Sequence, residues 1–120
     1  MKKLEIITSN ITSKEASLIQ KKYPNKDLSL LNNCHIHKLY YQNSFLGFVA
    51  VSIINNKTII EDIAYLKNKE LLQPLISHLL KKVILENAVY YNEEKDFEPI
   101  YQDLFNTFKF EKTNKDLCLE

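Results

Sequence analysis

The first residues whose spacing could support chemistry are His35 and His37, a His-x-His pair inside a β-rich run. In a strand, side chains two positions apart leave the same face about 7 Å from each other. Two such imidazoles can chelate a metal when a neighbouring strand supplies a third ligand, for example a carboxylate. No third ligand is adjacent in the sequence, which favours two half-exposed strand residues, and we predict no metal site.

Two aromatic pairs, Tyr40-Tyr41 and Tyr90-Tyr91, could stack on nucleic-acid bases. However, all sixteen basic residues are lysine, fifteen acidic residues reduce the net charge to +1, and the lysines form no basic stripe. Stacking without a positive surface lacks the attraction to phosphate that dominates nucleic-acid affinity. We therefore expect ordinary strand aromatics and no nucleic-acid partner.

Glycine and cysteine usage excludes further classes. Gly47 is the only glycine, so the glycine-rich loops of P-loop and dinucleotide-binding enzymes cannot be present. Inside a predicted strand, Gly47 indicates a bulge or a close approach by another backbone or a ligand, and we favour the bulge. Cys34 and Cys118 match neither a zinc spacing nor a Cys-x-x-Cys motif, so we expect two reduced thiols in a core.

Length and hydropathy predict one domain over residues 1–120, because single domains commonly have about 100–150 residues. The apolar content of 45% is sufficient for a packed core. No run approaches the roughly 18 apolar residues of a membrane span, and residues 1–9 lack the features of a signal peptide. The sequence therefore predicts a cytoplasmic protein with no membrane partner.

The first half of the chain must provide a strand, a helix and a meander. Residues 2–8 predict a strand, and Thr12 with Glu15 forms a capping-box pattern that begins a helix ending before Pro24. A second helical turn is predicted at 27–31. Three β-rich runs follow at 34–41, 45–54 and 57–66, with connections short enough for an antiparallel meander.

In the second half the hydrophobic period changes. Apolar residues from Leu71 to Val83 recur at spacing four and predict a long helix, with Pro74 near its start. A short strand is predicted at 88–91. A last helix, begun by Asp96 and Pro99, precedes a terminal strand pair around Phe110 and 117–119.

This element order resembles that of the GNAT superfamily of N-acyltransferases. Residues 58–65 (TIIEDIAY) look like the family's fourth strand, and residues 103–111 (DLFNTFKFE) look like its closing helix-to-strand passage. The resemblance covers nearly the whole chain. It implies an α+β fold in one GNAT-like domain, with a mixed, mostly antiparallel sheet flanked by helices in the order β-α-α-β-β-β-α-β-α-β.

The resemblance also implies acetyl-CoA as the cofactor, lying where the fourth and fifth strands part. Its pyrophosphate would bind the amides that begin the long helix. The family's glycine positions are filled here by Leu72 and Pro74, Pro74 removes one amide, and Glu70 adds a negative charge, so the phosphate loop looks damaged. The residues carried over to cofactor binding are Ile63, Tyr65, Lys69, Glu70, Leu71, Leu72 and Gln73.

Catalytic roles are also carried over from the family, which often uses a tyrosine of the last helix as the acid. Phe105 occupies that position and has no hydroxyl. Tyr101, one turn earlier on the same helix face, or Tyr91, on the fifth strand, could replace it. The family's base is often a carboxylate on the fourth strand; Glu61 and Asp62 should point to opposite faces, so at most one faces the cleft, and we favour Glu61.

The sequence thus predicts an acyl-CoA-dependent N-acyltransferase that acetylates a primary amine on a small molecule or a protein. The alternative is a catalytically inactive GNAT fold that serves as an interaction or regulatory module, motivated by Glu70, Leu72, Pro74 and Phe105. A homodimer is one option for the assembly. The GNAT interpretation requires the strand at 88–91 to lie parallel to the strand at 57–66 and to part from it.

Overall fold

The computed structural model describes residues 4–66, 77, 80, 81 and 89–114. The elements in this part of the chain follow the predicted order. They are β1 Leu4–Thr8, α1 Ser13–Lys22, a 3-10 helix Leu28–Leu31, β2 His35–Tyr41, β3 Ser44–Ile54, β4 Lys57–Tyr65, β5 Val89–Asn92, α2 Pro99–Thr107 and β6 Glu111–Thr113.

Helix α1 begins at the predicted capping box. The Thr12 hydroxyl accepts the backbone N–H of Glu15 at 3.2 Å, and the Glu15 carboxylate accepts the backbone N–H of Thr12 at 2.9 Å. These bonds satisfy two amides that the first helical turn leaves without a partner. Lys21 and Lys22 lie in the last turn, where positive charge complements the helix dipole.

The meander is built on two tight turns. Gln42 and Asn43 have φ of 50° and 66°, and Asn55 and Asn56 have φ of 50° and 64°. Two consecutive positive φ values are the geometry of the two-residue turn that matches the twist of antiparallel strands, and asparagine tolerates it well. The predicted three-stranded meander is confirmed.

The six strands of the described residues form one sheet in the order β1-β2-β3-β4-β5-β6. The pairs β1–β2, β2–β3 and β3–β4 are antiparallel, whereas β4–β5 and β5–β6 are parallel. The mixed, mostly antiparallel α+β sheet is therefore confirmed. The predicted terminal strand at 117–119 and most of the predicted leucine-rich helix lie outside the described residues; residues 77, 80 and 81 are helical.

Gly47 satisfies both interpretations of the lone glycine. The register between β2 and β3 shifts beside it, so that Leu46 is an extra residue in β3 and forms the predicted bulge. A Cβ atom at Gly47 would also lie 2.3 Å from the carbonyl oxygen of Ala64. Glycine therefore permits the backbones of β3 and β4 to approach closely next to the end of β4.

Each face of the sheet carries its own buried cluster. On one face, α1 packs Ile19 against Phe48 and Ala64. On the other face, α2 packs Tyr101, Leu104 and Phe105 against the sheet, together with Leu80 of the central helical region. β4 lies between these layers, so groups from both helices can meet beside it.

Candidate functional site

The site is an opening between β4 and β5. The parallel pairing joins Thr58, Ile59 and Ile60 to residues 89–91, and β4 then continues to Tyr65 without a further pair to β5. The two strands are therefore parallel, as the GNAT interpretation requires. Their pairing ends at Ile60 and Tyr91, and β5 ends at Asn92, whereas β4 continues to Tyr65; the separation of the two strands that the interpretation also requires stays a prediction. On its other side, β4 stays paired with β3 up to Tyr65.

The backbone of Ile63 and Tyr65 faces this opening. Leu66 donates its N–H to the carbonyl of Leu46 in β3 at 2.7 Å. In an antiparallel ladder, residues with both polar groups toward one neighbour alternate with residues facing the other way. Ile63 and Tyr65 therefore direct N–H and C=O away from β3, while their side chains are buried in the core.

Side chains of this protein already contact that edge. The carbonyl of Tyr65 accepts the Lys22 ammonium at 2.6 Å and the Tyr23 hydroxyl at 3.3 Å. The N–H of Ile63 donates to the carboxylate of Asp62 at 2.8 Å. An incoming ligand would exchange some of these contacts for its own.

Tyr101 reaches the same edge from the opposite layer. It is only 3% exposed, it hydrogen-bonds Tyr23, and it also bonds the backbone of Tyr65. Burial, followed by the neighbouring Tyr23 and Glu98, raises the pKa of the Tyr101 phenol well above its usual value. The hydroxyl therefore keeps its proton at neutral pH and can act as a donor.

The predicted relation between Tyr101 and Phe105 is confirmed, since both face the same core. Phe105 is fully buried; its ring stacks on Tyr91 with centroids 4.7 Å apart and meets Phe97 edge-on at 5.1 Å. Tyr91 therefore belongs to this aromatic cluster. Tyr91 lines a second cavity, with Gln102 and Lys112. It is not among the residues described above as contacting the Tyr65 backbone.

A bulge in β4 overturns one prediction about the carboxylates. Ala50 of β3 is opposite Asp62, and Val51 is opposite Ile60, so the register skips Glu61, which is the extra residue of a bulge in β4. The extra residue breaks the alternation of side chains along the strand. Glu61 and Asp62 consequently line the same cavity, and the expectation that at most one of them could face the cleft is wrong.

The two carboxylates have different surroundings. Glu61 is 8% exposed, and Oε1 accepts the side-chain amide of Asn92 at 3.1 Å where β5 ends. Asp62 is held by the ammonium of Lys26, which lies 2.9 Å from each carboxylate oxygen. The charge of Asp62 is thus locally neutralised by Lys26, whereas one of the contacts of the Glu61 carboxylate is the neutral amide of Asn92.

The cavity beside Glu61 has a volume of about 230 Å³. This is below the roughly 300–1,000 Å³ of sites that enclose drug-sized ligands, so it suits a small group or the end of a larger molecule. Its lining combines carboxylates and lysines with two apolar side chains; the residues are Lys26, Asp27, Leu31, Glu61, Asp62, Lys95, Asp96 and Phe97. An amine could lie here against Glu61.

The described part of the opening fits an extended, amide-bearing arm such as that of acetyl-CoA. It offers outward backbone groups at Ile63 and Tyr65 and a proton donor at Tyr101. Tyr65 lies four residues beyond Glu61, or about 13 Å along an extended strand, so the opening and the cavity could hold two different molecules. The predicted phosphate-loop residues Lys69, Glu70, Leu71, Leu72 and Gln73, with Pro74, lie outside the described residues.

His35 and His37 have different surroundings in the structure. His35 is exposed, whereas His37 is buried with Nδ1 2.8 Å from the Thr8 hydroxyl. Across the described residues, no group of three or more His, Cys, Asp or Glu side chains is arranged to hold a metal ion.

Cys34 is half-buried against the α1 side of the core, as expected, and Cys118 lies outside the described ranges. Within these ranges no helix combines the length and apolar character required to cross a bilayer.

Sequence reasoning missed Tyr23, Lys22 and Asn92. Tyr23 is the C-cap of α1, and its role depends on the distant Tyr65 and Tyr101. Asn92 contacts Glu61 across 31 positions of sequence. No local motif signals either contact, because the first requires α1 and α2 to reach β4 from opposite faces and the second requires β5 to lie beside β4.

The fold is that of the GNAT N-acetyltransferases. The candidate N-acetyltransferase YhhK from E. coli, solved in solution with bound coenzyme A, matches with a TM-score of 0.66 at 17% identity, covering 88% of each chain. SP0256 from Streptococcus pneumoniae, a GNAT family acetyltransferase, matches with a TM-score of 0.64 at 12% identity, covering 90% of this chain and 87% of its own.

A third similar structure is the aminoglycoside N-acetyltransferase AAC(6')-Iy in complex with CoA. It has a TM-score of 0.60 at 15% identity and covers 96% of this chain and 92% of its own. At the level of sequence, the chain matches no protein-family model and no curated protein. The similarity to these proteins therefore lies in the fold.

Proposed function

We propose that this protein is an N-acyltransferase that transfers an acetyl group from acetyl-CoA to a primary amine. The observation that carries the proposal is the opening after Ile60, which has outward backbone groups, the Tyr101 hydroxyl at one end and the Glu61 cavity at the other. The acceptor is a small molecule or a protein amine. A cytoplasmic location and a homodimer remain predictions from the sequence.

Glu61 is proposed as the base. An amine enters the cavity as an ammonium and must lose a proton before its nitrogen can attack a carbonyl carbon. Glu61 provides a buried carboxylate there, held by Asn92 at 3.1 Å. The Lys26–Asp62 ion pair fixes the adjacent residue and keeps a second negative charge from competing for the same proton.

Tyr101 is proposed as the acid, in preference to Tyr91. Its hydroxyl lies beside the backbone of Tyr65 and is protonated at neutral pH, as an ordinary phenol is; burial raises its pKa further. Ile63 and Tyr65 would hold the pantetheine arm through their backbone groups, and residues 69–73 would meet its phosphates. When bound, acetyl-CoA supplies the acyl group as an activated thioester.

A second candidate function is a GNAT fold without catalysis, serving as an interaction or regulatory module. The supporting observation is that this protein's own side chains already bond the Tyr65 carbonyl and the Ile63 N–H. The bulky residues Leu72 and Pro74 in the predicted phosphate loop support it as well. In that case the opening after Ile60 is a relic of cofactor binding.

Calorimetric titration with acetyl-CoA, followed by a thiol-release assay with a panel of primary amines, tests the enzyme. Glu61→Gln and Tyr101→Phe should each lower kcat by about 10²–10⁴-fold and leave acetyl-CoA affinity nearly unchanged. Glu111→Gln, an exposed residue of β6, is the matched control and should behave like the wild type. Absence of any heat with millimolar acetyl-CoA refutes the enzymatic proposal.

The same titration separates the two candidates. The double variant Leu72→Gly/Pro74→Gly introduces glycine at the two family positions that contact phosphate. Binding by the wild type supports the enzyme. Binding that appears only in the double variant supports the inactive module.

A further inference from the structure

Tyr101 needs a source of protons. With 3% exposure, it is too deeply buried for direct exchange with bulk water. A group that donates one proton in each cycle must regain one before the next cycle begins. The neighbouring polar groups at the Tyr65 edge therefore decide whether Tyr101 can work repeatedly.

Tyr23 is the neighbour with access to solvent. Its hydroxyl hydrogen-bonds Tyr101 and lies 3.3 Å from the Tyr65 carbonyl, whereas its ring is only half-buried at the end of α1. The two tyrosines come from opposite faces of the sheet and meet at the backbone of Tyr65 in β4. Their hydroxyls thus connect the half-buried Tyr23 to the buried Tyr101.

The charges around Tyr23 come from three elements and the loop after α1. The ammonium groups of Lys22 and Lys26 lie 5.6 Å and 5.3 Å from the Tyr23 ring centroid. Asp62 of β4 and Glu98, at the start of α2, act on it with negative charge. Burial and these carboxylates raise the pKa of the Tyr23 phenol, so its hydroxyl is protonated at neutral pH and can donate; the two nearby cations offset part of any transient negative charge on it.

From this geometry we infer that Tyr23 is a proton-relay and positioning residue for Tyr101. The inference rests on the proposed acetyltransferase function. In the relay, the Tyr101 O–H bond breaks as its proton passes to the leaving sulfur. The Tyr23 hydroxyl, which donates to the Tyr65 carbonyl in the resting structure, then turns toward Tyr101; its O–H bond breaks and the proton re-forms the O–H bond of Tyr101. Water returns a proton to Tyr23, and the proton taken from the amine by Glu61 passes to solvent, so the cycle balances.

The test compares Tyr23→Phe, Tyr101→Phe and the double variant with the wild type, using acetyl-CoA and the best amine from the panel. Tyr41→Phe, a half-buried tyrosine of β2, is the matched control. The relay predicts that Tyr23→Phe lowers kcat about 10–100-fold while acetyl-CoA affinity by calorimetry is unchanged. In the double variant, kcat should be no lower than in Tyr101→Phe alone, since both residues serve one transfer.

Buffer rescue separates a relay from a merely structural hydroxyl. Increasing imidazole at constant pH and ionic strength should raise kcat of Tyr23→Phe several-fold, because protonated imidazole can replace the missing donor. It should not raise kcat of Tyr101→Phe or the wild type. An active Tyr23→Phe variant with wild-type kcat, or one that imidazole does not rescue, overturns the relay alone. A wild type that neither binds nor consumes acetyl-CoA refutes the proposed function itself.

Discussion

Replacing Gly47 by alanine should disturb both stability and the candidate site. The added Cβ would lie 2.3 Å from the Ala64 carbonyl oxygen, whereas ordinary contacts begin at 3.4 Å, so the strands must separate locally by 1.1 Å. The neighbouring bond from Leu66 to Leu46 is 2.7 Å long, and lengthening it by that amount removes it. Loss of one or two ladder bonds at about 1 kcal/mol each, with about 1–3 kcal/mol of overpacking, gives a total of roughly 2–5 kcal/mol.

Urea unfolding followed by circular dichroism measures this loss. For a protein of this size we expect a slope of about 1–2 kcal/mol per M urea, so the midpoint of Gly47→Ala should fall by more than about 1 M. Ser44→Ala, an exposed position at the start of the same strand, is the control and should change stability by less than about 0.5 kcal/mol. If Gly47→Ala unfolds at the same urea concentration as Ser44→Ala, the strands can separate without cost and the argument about close approach is wrong.

Three further predictions concern buried groups. Burial alone would raise the pKa of Glu15, but hydrogen bonds from Thr12, Tyr40 and Lys38 bring the pKa below its usual value. The contribution of Glu15 to stability is therefore complete above about pH 4.5 and disappears as the pH falls through the lowered pKa. In Glu15→Gln, the urea midpoint should fall less steeply between about pH 6 and pH 3 than it does in the wild type. Lys38→Met breaks the buried 2.9 Å pair with Glu15 and should cost about 3–5 kcal/mol in the same assay at pH 7, while a loss below 1 kcal/mol contradicts a buried pair. Lys22→Ala removes the shorter of the two hydrogen bonds that the Tyr65 carbonyl accepts and should tighten coenzyme A binding several-fold in calorimetry, whereas weaker binding means that Lys22 contacts the ligand.

The sequence by itself determined the elements and much of their order. The capping box at Thr12, the paired asparagines at the second hairpin turn and the apolar runs of the meander act through neighbouring residues, so their outcome is local. The placement of Tyr101 and Phe105 on one helix face follows in the same way from the helical period. These predictions required no knowledge of which strands pair.

Tertiary structure alone decided which polar groups meet. The bulge at Glu61 depends on the register between β3 and β4, and it places Glu61 and Asp62 on one cavity against the simple alternation of a strand. The meeting of Tyr101 and Tyr23 at the Tyr65 backbone depends on two helices reaching β4 from opposite faces of the sheet. A sequence pattern specifies the local period of side chains, whereas strand register and the parting of β4 from β5 are fixed by packing over the whole sheet.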